Sequence, residues 1–452
     1  MTVREFRNKK ISVLGAARSG IAVARLLASQ GGQVLLSDSG AAERFREELQ
    51  TLSPLGIAVE TGGHTNRVFD CSFIVLSPGI PEHAPVVKEA AKRQIPIVSE
   101  LEAASWFCSA PIIGVTGSNG KTTTTTLIGR ILGDAKKKHV VAGNIGTAFS
   151  SVVLDVAEAD LAVLEVSSFQ LDHCESFRPW ISVILNITED HMDRYDHSME
   201  RYAASKSRIF ANQNEDDILI SSADDPWTVK TAPAASCRKL TFSAQRRVDE
   251  GAYVDNGMLV TALEGTRTEI IPLQELSLKG THNAYNAMAS TLVGQLSGVS
   301  AASIRATLRN FKGVEHRLEF VREYKGIRYF NDSKATNVDS VWYALQAFQE
   351  PIVLLLGGRD KGNDYSRLTN LVRTHVKSIV AIGESAATVE QAFRGATKVV
   401  RASSMKGAVE TAAGLAAAGD VVLLSPACAS FDWFENYEHR GRVFKELVSQ
   451  LP

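Results

Sequence analysis

Short apolar runs alternate with amphipathic stretches along most of the chain, a pattern that predicts βαβ units and mostly parallel sheets. In the first block ISVLG, QVLLSD, CSFIVLSPG and IPIVSE read as strands. Helices are expected from about Ser19, through AAERFREELQ and through APVVKEAAKR. A second block opens at PIIGVTG and continues through LAVLEVSS, WISVILN and DILISS. It changes character at AYVDNGMLVTALEGTRTEIIPL, where Asp-Asn-Gly and Glu-Gly turns separate alternating runs and predict a β-hairpin insertion. Two helical stretches follow, THNAYNAMASTLVGQLSG and SAASIRATLRNF. Beyond GVEHRLEF, the runs IRYFND, IVLLLGG, SIVAIG and DVVLLSPA read as strands of a third block. Three α/β domains are expected, at 1–99, 100–313 and 314–452.

A chain of 452 residues is too long for one core. Lysine plus arginine (49) nearly balance aspartate plus glutamate (50), so no global field favours nucleic acid or an anionic membrane, and any anion must be held locally. The five cysteines, Cys71, Cys108, Cys174, Cys237 and Cys428, contain no C-x-x-C pair. That argues against a disulfide framework or a zinc site and fits a reducing cytoplasm. The start, MTVREFRNKKISVLG, lacks the apolar core of a signal peptide. No apolar stretch approaches the roughly 18 residues needed to cross a bilayer.

The strongest chemical signal is PIIGVTGSNGKTTTTTLIGRIL, from Pro111 to Leu132. Strand, glycine turn, lysine, threonine and helix in that order aim backbone N–H groups and a helix N-terminus at phosphate oxygens. Gly117 and Gly120 let the backbone wrap closely, Lys121 supplies a cation, and Thr122 offers a hydroxyl to Mg²⁺. Val115 stands where the strict G-x-x-x-x-G-K-[ST] pattern has its first glycine, so the turn is a shortened variant. A triphosphate needs a divalent ion, and Glu165, after the apolar run LAVL, is a candidate acid. Glu189, Asp190, His191 and Asp193 follow the next strand and read either as a metal site or as a solvated loop. In the first block VLGAARSG loosely matches a dinucleotide turn through Gly15, Ala17 and Gly20, with Asp38 at the end of the next strand. Such a turn fits a nicotinamide cofactor or another diphosphate.

The segments GVTGSNGKTTTT, GNIG, LEVSSFQL, NITEDHMDRY, GTHNAYNA, GVEHRLE, NDSKATN and SPACASFDWFENYEHRG occur in one order along the chain. In that order and across nearly the whole length they resemble the Mur ligases of bacterial cell-wall synthesis. The last two, with DHMDRY, are similar to the branch of the family that takes D-glutamate. The resemblance implies a three-domain α/β architecture: a Rossmann-like domain for the UDP-linked substrate, a central P-loop ATPase-like domain with the small β insertion, and a Rossmann-like C-terminal domain that binds the amino acid and closes over ATP. It implies an amide ligase joining D-glutamate to UDP-N-acetylmuramoyl-L-alanine through an acyl phosphate, working as a cytoplasmic monomer with ATP and two Mg²⁺ ions.

Residue roles follow from the same resemblance. Lys121 would contact the β and γ phosphates, within an ATP-binding set of Gly117, Ser118, Asn119, Gly120, Thr122 and Thr123. Thr122 and Glu165 would hold one Mg²⁺. His191 would ligate a second, near the substrate carboxylate. Lys206 matches the lysine that carries a carbamate for that second ion, although a lysine on an amphipathic helix is ordinarily a solvated residue. Asn286, Arg317 and Asp332 match contacts to adenine, phosphates and ribose. Lys334, Thr336, Lys361, Ser430, the backbone at Phe431 and Tyr437 would receive D-glutamate. Arg18, Ser19, Asp38, Ser39, Ser77, Pro78 and Gly79 would bind uracil and diphosphate, with Asn144 and Gln170 on the sugar–peptide portion. Rival readings are a folate-extending ligase of the same superfamily, a nicotinamide oxidoreductase, which leaves the phosphate turn unexplained, and a nucleotide switch, which lacks an N-K-x-D signature.

Overall fold

A computed structural model describes residues 7–41, 51–144, 146–360 and 362–451. Lys361 and nearly all of AAERFREELQ lie outside the described residues. The chain divides into two compact units. One comprises Met1–Ile187, Arg194–Glu275 and Tyr285–Arg309, the other Thr188–Asp193, Leu276–Ala284 and Asn310–Pro452.

The first unit contains two sheets. β1 (Lys10–Leu14), β2 (Gln33–Ser37), β3 (Ala58–Glu60), β4 (Phe73–Leu76) and β5 (Ile97–Ser99) form a parallel sheet in the order β3-β2-β1-β4-β5. The order reverses at β1, which opens a crevice at the strands' carboxyl ends. β3 is short and not fully buried, so no apolar run announced it. The helix Arg18–Ser29 turns Ile21, Val23, Ala24, Leu26 and Leu27 inward. It packs so close to the preceding turn that a β-carbon on Gly20 would overlap the Gly15 carbonyl oxygen.

The second sheet has nine strands: β6 (Ile112–Thr116), β7 (His139–Gly143), β8 (Leu161–Glu165), β9 (Ile181–Ile184), β10 (Ile218–Ser222), β11 (Arg238–Ser243), β12 (Gly251–Asp255), β13 (Met258–Leu263) and β14 (Thr266–Pro272). They lie in the order β14-β13-β12-β11-β10-β9-β6-β8-β7. β6 is buried along its whole length between β8 and β9, which explains the unbroken apolar run before the glycine turn. The expected hairpin is an antiparallel β12-β13-β14 meander, and β12 also pairs parallel with β11, so the insertion extends the sheet's edge. β7 and β11 escaped the sequence reading because HVVAG is a short, only partly buried run and RKLTFS mixes polar and apolar residues.

Two buried acids tie these sheets together. Glu102, 1% exposed, accepts from the backbone N–H groups of Ser176 (2.9 Å) and Phe177 (2.8 Å) and from the Trp106 indole (3.0 Å). Glu100 accepts from the Ser150 N–H at 2.7 Å, and burial raises its carboxyl above the ordinary glutamate range. A buried carboxylate is tolerated only with such donors.

In the second unit β15 (Glu319–Tyr324), β16 (Ile327–Asn331), β17 (Ile352–Gly357), β18 (Val376–Ile382), β19 (Lys398–Arg401) and β20 (Val421–Leu424) lie in the order β15-β16-β20-β17-β18-β19. All pairs but β15-β16 are parallel. Asp332 and Ser425 therefore leave neighbouring strands side by side, and the Asp332 carboxylate accepts from the Ser425 hydroxyl (2.8 Å) and the Leu318 N–H (3.1 Å). Burial pushes its pKa up to about 6, against the opposing pull of Arg317.

Gly20→Ala should lower the unfolding free energy by about 1–3 kcal/mol through overpacking. Gly79→Ala, with open space around it, should stay within about 0.5 kcal/mol of wild type. Equal losses in chemical denaturation would contradict the close packing at Gly20. For Asp332, whose folded pKa is raised, the stabilising contribution is present below about pH 4 and is lost as pH rises through about 6. Asp332→Asn should thus gain stability relative to wild type between pH 4 and 7, on the order of 2–3 kcal/mol. A pH-independent difference would contradict it.

Candidate active site

β6, flanked by β8 and β9, delivers the chain to the glycine turn. Gly117 and Gly120 take φ values of 149° and 87°, conformations that side chains resist, and the helix Lys121–Asp134 begins directly afterwards with Gly120 as its N-cap. Its first N–H groups have no partners inside the helix and carry the positive end of its dipole. Asn186, just past β9, holds the turn. Its carbonyl accepts from the Ser118 N–H (2.9 Å), its Oδ1 accepts from the Asn119 N–H (2.8 Å), and its Nδ2 donates to the Asn119 carbonyl (3.0 Å).

Lys121, expected at the phosphates, and Lys206, expected to carry a carbamate for a second ion, both reach this turn. Lys121 Nζ donates to the Gly117 and Ser118 carbonyls, each at 2.8 Å. Lys206, far from being a solvated residue, is 1% exposed. Its Nζ donates to the Gly117 carbonyl at 2.9 Å and lies 4.6 Å from the centre of the Tyr202 ring. The Tyr202 hydroxyl in turn accepts from Ser118 Oγ at 3.2 Å. Asn286 Oδ1 accepts from Thr124 Oγ1 at 3.2 Å, and a β-carbon on Gly120 would collide with the same oxygen. Thr122 and Thr123 are buried at the first turn of the helix.

Glu165 ends β8 beside Val115 of β6. Asn144 clamps it, with backbone N–H to the Glu165 carbonyl (2.8 Å) and Nδ2 to Oε1 (3.0 Å). Among the described residues, its buried Oε2 has no hydrogen-bond partner. A carboxylate oxygen withdrawn from water in this way suits a hard cation, which prefers oxygen ligands. Asn144, expected on the sugar–peptide portion, thus has its amide on Glu165. Gln170 is buried and closes a capping box with Ser167.

The crevice of the first sheet holds a cavity of about 640 Å³ lined in part by Gly15, Asp38, Ser39 and Gly79. Asp38 accepts from the Ala16 N–H (2.6 Å) and the Gly40 N–H (2.7 Å), fixing the two loops that frame it. Arg18 donates to the Gly146 carbonyl at 3.2 Å, and Ser77 Oγ to the Gly15 carbonyl at 3.3 Å. Ser19 is half-buried on the same turn. Pro78 adjoins the lining residue Gly79. His64, whose Nδ1 lies 2.7 Å from Ser37 Oγ, and Phe69 also line the cavity.

The second unit carries the remaining candidates. His191 has φ 55°, and its Nε2 lies 3.6 Å from Asp190, which accepts from Asn337 Nδ2 at 3.1 Å. Arg317 keeps a buried Nε without a hydrogen-bond partner among the described residues. Lys334 Nζ stands 5.2 Å from the Tyr437 ring centre. Thr336 is half-buried, Ser430 buried, and Phe431 exposed.

Asn186, Tyr202 and Arg440 were not singled out from sequence. Fully buried Arg440 donates to the Ser333 hydroxyl (2.9 Å) and carbonyl (2.7 Å) and to the Cys428 carbonyl (3.1 Å), joining the NDSK and SPACAS loops. Burial pulls its pKa down to about 10. Among the described residues, three acid or histidine groups converge at metal-binding range only in Glu315, His316 and Glu319. There Lys445 already supplies the cation, 2.5 Å from Glu315 and 2.8 Å from Glu319.

Family models match in chain order: a Mur ligase MurD-like N-terminal domain over residues 9–99, a Mur ligase middle domain over 115–294, and a Mur ligase glutamate ligase domain over 316–428. Relatives named UDP-N-acetylmuramoylalanine--D-glutamate ligase occur in Salinibacter ruber, 46% identical over 100% of both chains, and in Acidobacterium capsulatum, 47% identical over 98% of this chain and 97% of the relative. Among solved structures, MurF from Acinetobacter baumannii superposes with a TM-score of 0.63 at 17% identity, covering 100% of this chain and 93% of that one. UDP-N-acetylmuramate-alanine ligase MurC from Thermotoga maritima gives 0.61 at 18% identity, covering 98% of this chain and 100% of that one. With three family models in register and relatives of this identity from end to end, the chain belongs to the Mur ligase family, among its members with a MurD-like N-terminal domain.

Proposed function

We propose that the chain is an ATP-dependent amide ligase that adds D-glutamate to UDP-N-acetylmuramoyl-L-alanine in peptidoglycan precursor synthesis, as the names of its full-length relatives suggest. The observation that carries the chemistry is the buried, orphaned Oε2 of Glu165 on the strand beside the phosphate turn. A cytoplasmic setting accords with the thiols, all free, and no described helix is long and apolar enough to cross a membrane.

A carboxylate is a poor electrophile until it carries a leaving group. In this reading the substrate's alanyl carboxylate takes the terminal phosphoryl of ATP and becomes an acyl phosphate. The amine of D-glutamate then attacks the acyl carbon, the C–O bond to phosphate breaks, and the amine proton is lost. The chain's work is positioning and charge neutralisation. Backbone N–H groups from Gly120 to Thr123 would cradle the phosphates, and Lys121 leaves the Gly117 and Ser118 carbonyls to meet them. Thr122 and Glu165 would hold Mg²⁺, which neutralises charge on the phosphates when bound. His191 and a carbamate on Lys206 would serve a second ion. Arg317 and Asp332 would meet phosphate and ribose, Asn286 the adenine. Lys334, Thr336, Ser430, Phe431 and Tyr437, with Lys361, would receive D-glutamate. The cavity at Asp38 and Ser39 would take the uridine diphosphate end.

Phosphate release should require ATP, Mg²⁺, the UDP-linked substrate and D-glutamate together. Release with L-alanine, L-lysine or meso-diaminopimelate instead would reassign the amino acid, and hydride transfer without ATP use would overturn the reading. Lys121→Ala should lower kcat by about 10²–10³-fold or more with an unchanged melting curve. Lys206→Ala should lose turnover and regain part of it with added formate or acetate; loss without such recovery would remove the carbamate.

A further inference from the structure

The amino ends of the central strands, remote from the phosphate turn, carry a second cavity of about 580 Å³. Ile112, Leu161, Leu296 and the half-buried indole of Trp180 give it apolar walls. Lys137 and Lys138 line it too, and among the described residues neither forms an ion pair with an acid. The acid in the lining, Asp217, is already matched by Arg178 at 2.6 Å, whose Nη2 also donates to Asn214 Oδ1 at 2.8 Å. The cavity therefore keeps a net positive charge.

Apolar walls, an aromatic side chain and two ammonium groups with no acid partner among the described residues make a coherent lining for a particular chemistry. A flat ring would stack on Trp180 and displace water from the leucines, while its anionic group met the lysines. The phosphate turn cannot be the same site. β6 starts at Ile112 in the cavity and leads to Gly117, and β8 starts at Leu161 and ends at Glu165. Five residues of strand put about 17 Å between the two ends.

We propose that this cavity is a ligand site for a small aromatic anion, distinct from the nucleotide and substrate sites. Titration calorimetry with 1-naphthyl phosphate and with 1-naphthoate tests it, using 1-naphthol and inorganic phosphate as partial probes. Both naphthyl anions should bind one saturable site, and the neutral ring and the bare phosphate at least about ten times more weakly. Preference between the two anions would tell a phosphorylated from a carboxylated occupant. The double variant Lys137→Glu, Lys138→Glu should weaken the anions by about tenfold or more while melting as wild type does. Saturating ADP should not displace them. Equal binding of naphthol, affinity indifferent to the charge reversal, or displacement by ADP would overturn the proposal.

Discussion

The active-site chemistry depends on one constraint: the backbone from Gly117 to Lys121 must reverse direction tightly while presenting the helix end to an anion. Neither glycine alone achieves this. The carbonyl, the Oδ1 and the Nδ2 of Asn186 pin Ser118 and Asn119 from outside the turn. Each such bond contributes only about 0.5–1.5 kcal/mol net, but together they fix dipoles in advance, so that binding phosphate needs little reorganisation. The requirement at Gly120 is double, because its backbone is left-handed and its β-carbon position is taken by Asn286.

Around that turn the first unit sets a buried cation beside carbonyls and a buried carboxylate beside an amide. Lys206 shares the Gly117 carbonyl with Lys121, so two ammonium groups converge on one oxygen. Glu165 receives one hydrogen bond from Asn144 and keeps a second oxygen unmatched. Groups so far from water are costly unless a counter-charge arrives, and a magnesium-bound triphosphate brings both signs of it. The second unit shows the same economy: Asp332 is buried against a hydroxyl and an N–H, and Arg317 retains an unmatched Nε.

Much of this was legible in the sequence because local chemistry wrote it there. Parallel strands covered on both faces read as near-continuous apolar runs, which made β6, β8, β9, β17 and β20 plain. The glycine turn announced itself because left-handed backbone demands glycine. Strands that mix polar and apolar residues at sheet edges, such as β7 and β19, carried no such mark. The burial of Lys206 was hidden for a different reason: its environment is built by Tyr202 one helical turn away and by Gly117 across 89 positions of sequence. Asn186 and Arg440 likewise act through long-range contacts that spacing does not encode. The acids Glu100 and Glu102 were not singled out from sequence, because their role as buried ties between two sheets is set by partners 50 or more positions away.

The central claim is that the turn from Gly117 to Thr122 grips a nucleoside triphosphate. A crystal structure with a non-hydrolysable ATP analogue and Mg²⁺ tests it most directly. The β and γ phosphates should lie within hydrogen-bonding distance of the N–H groups from Gly120 to Thr123, with Lys121 turned from the Gly117 carbonyl to a phosphate oxygen. A triphosphate seated elsewhere, with Lys121 still on the carbonyls of its own loop, would contradict it.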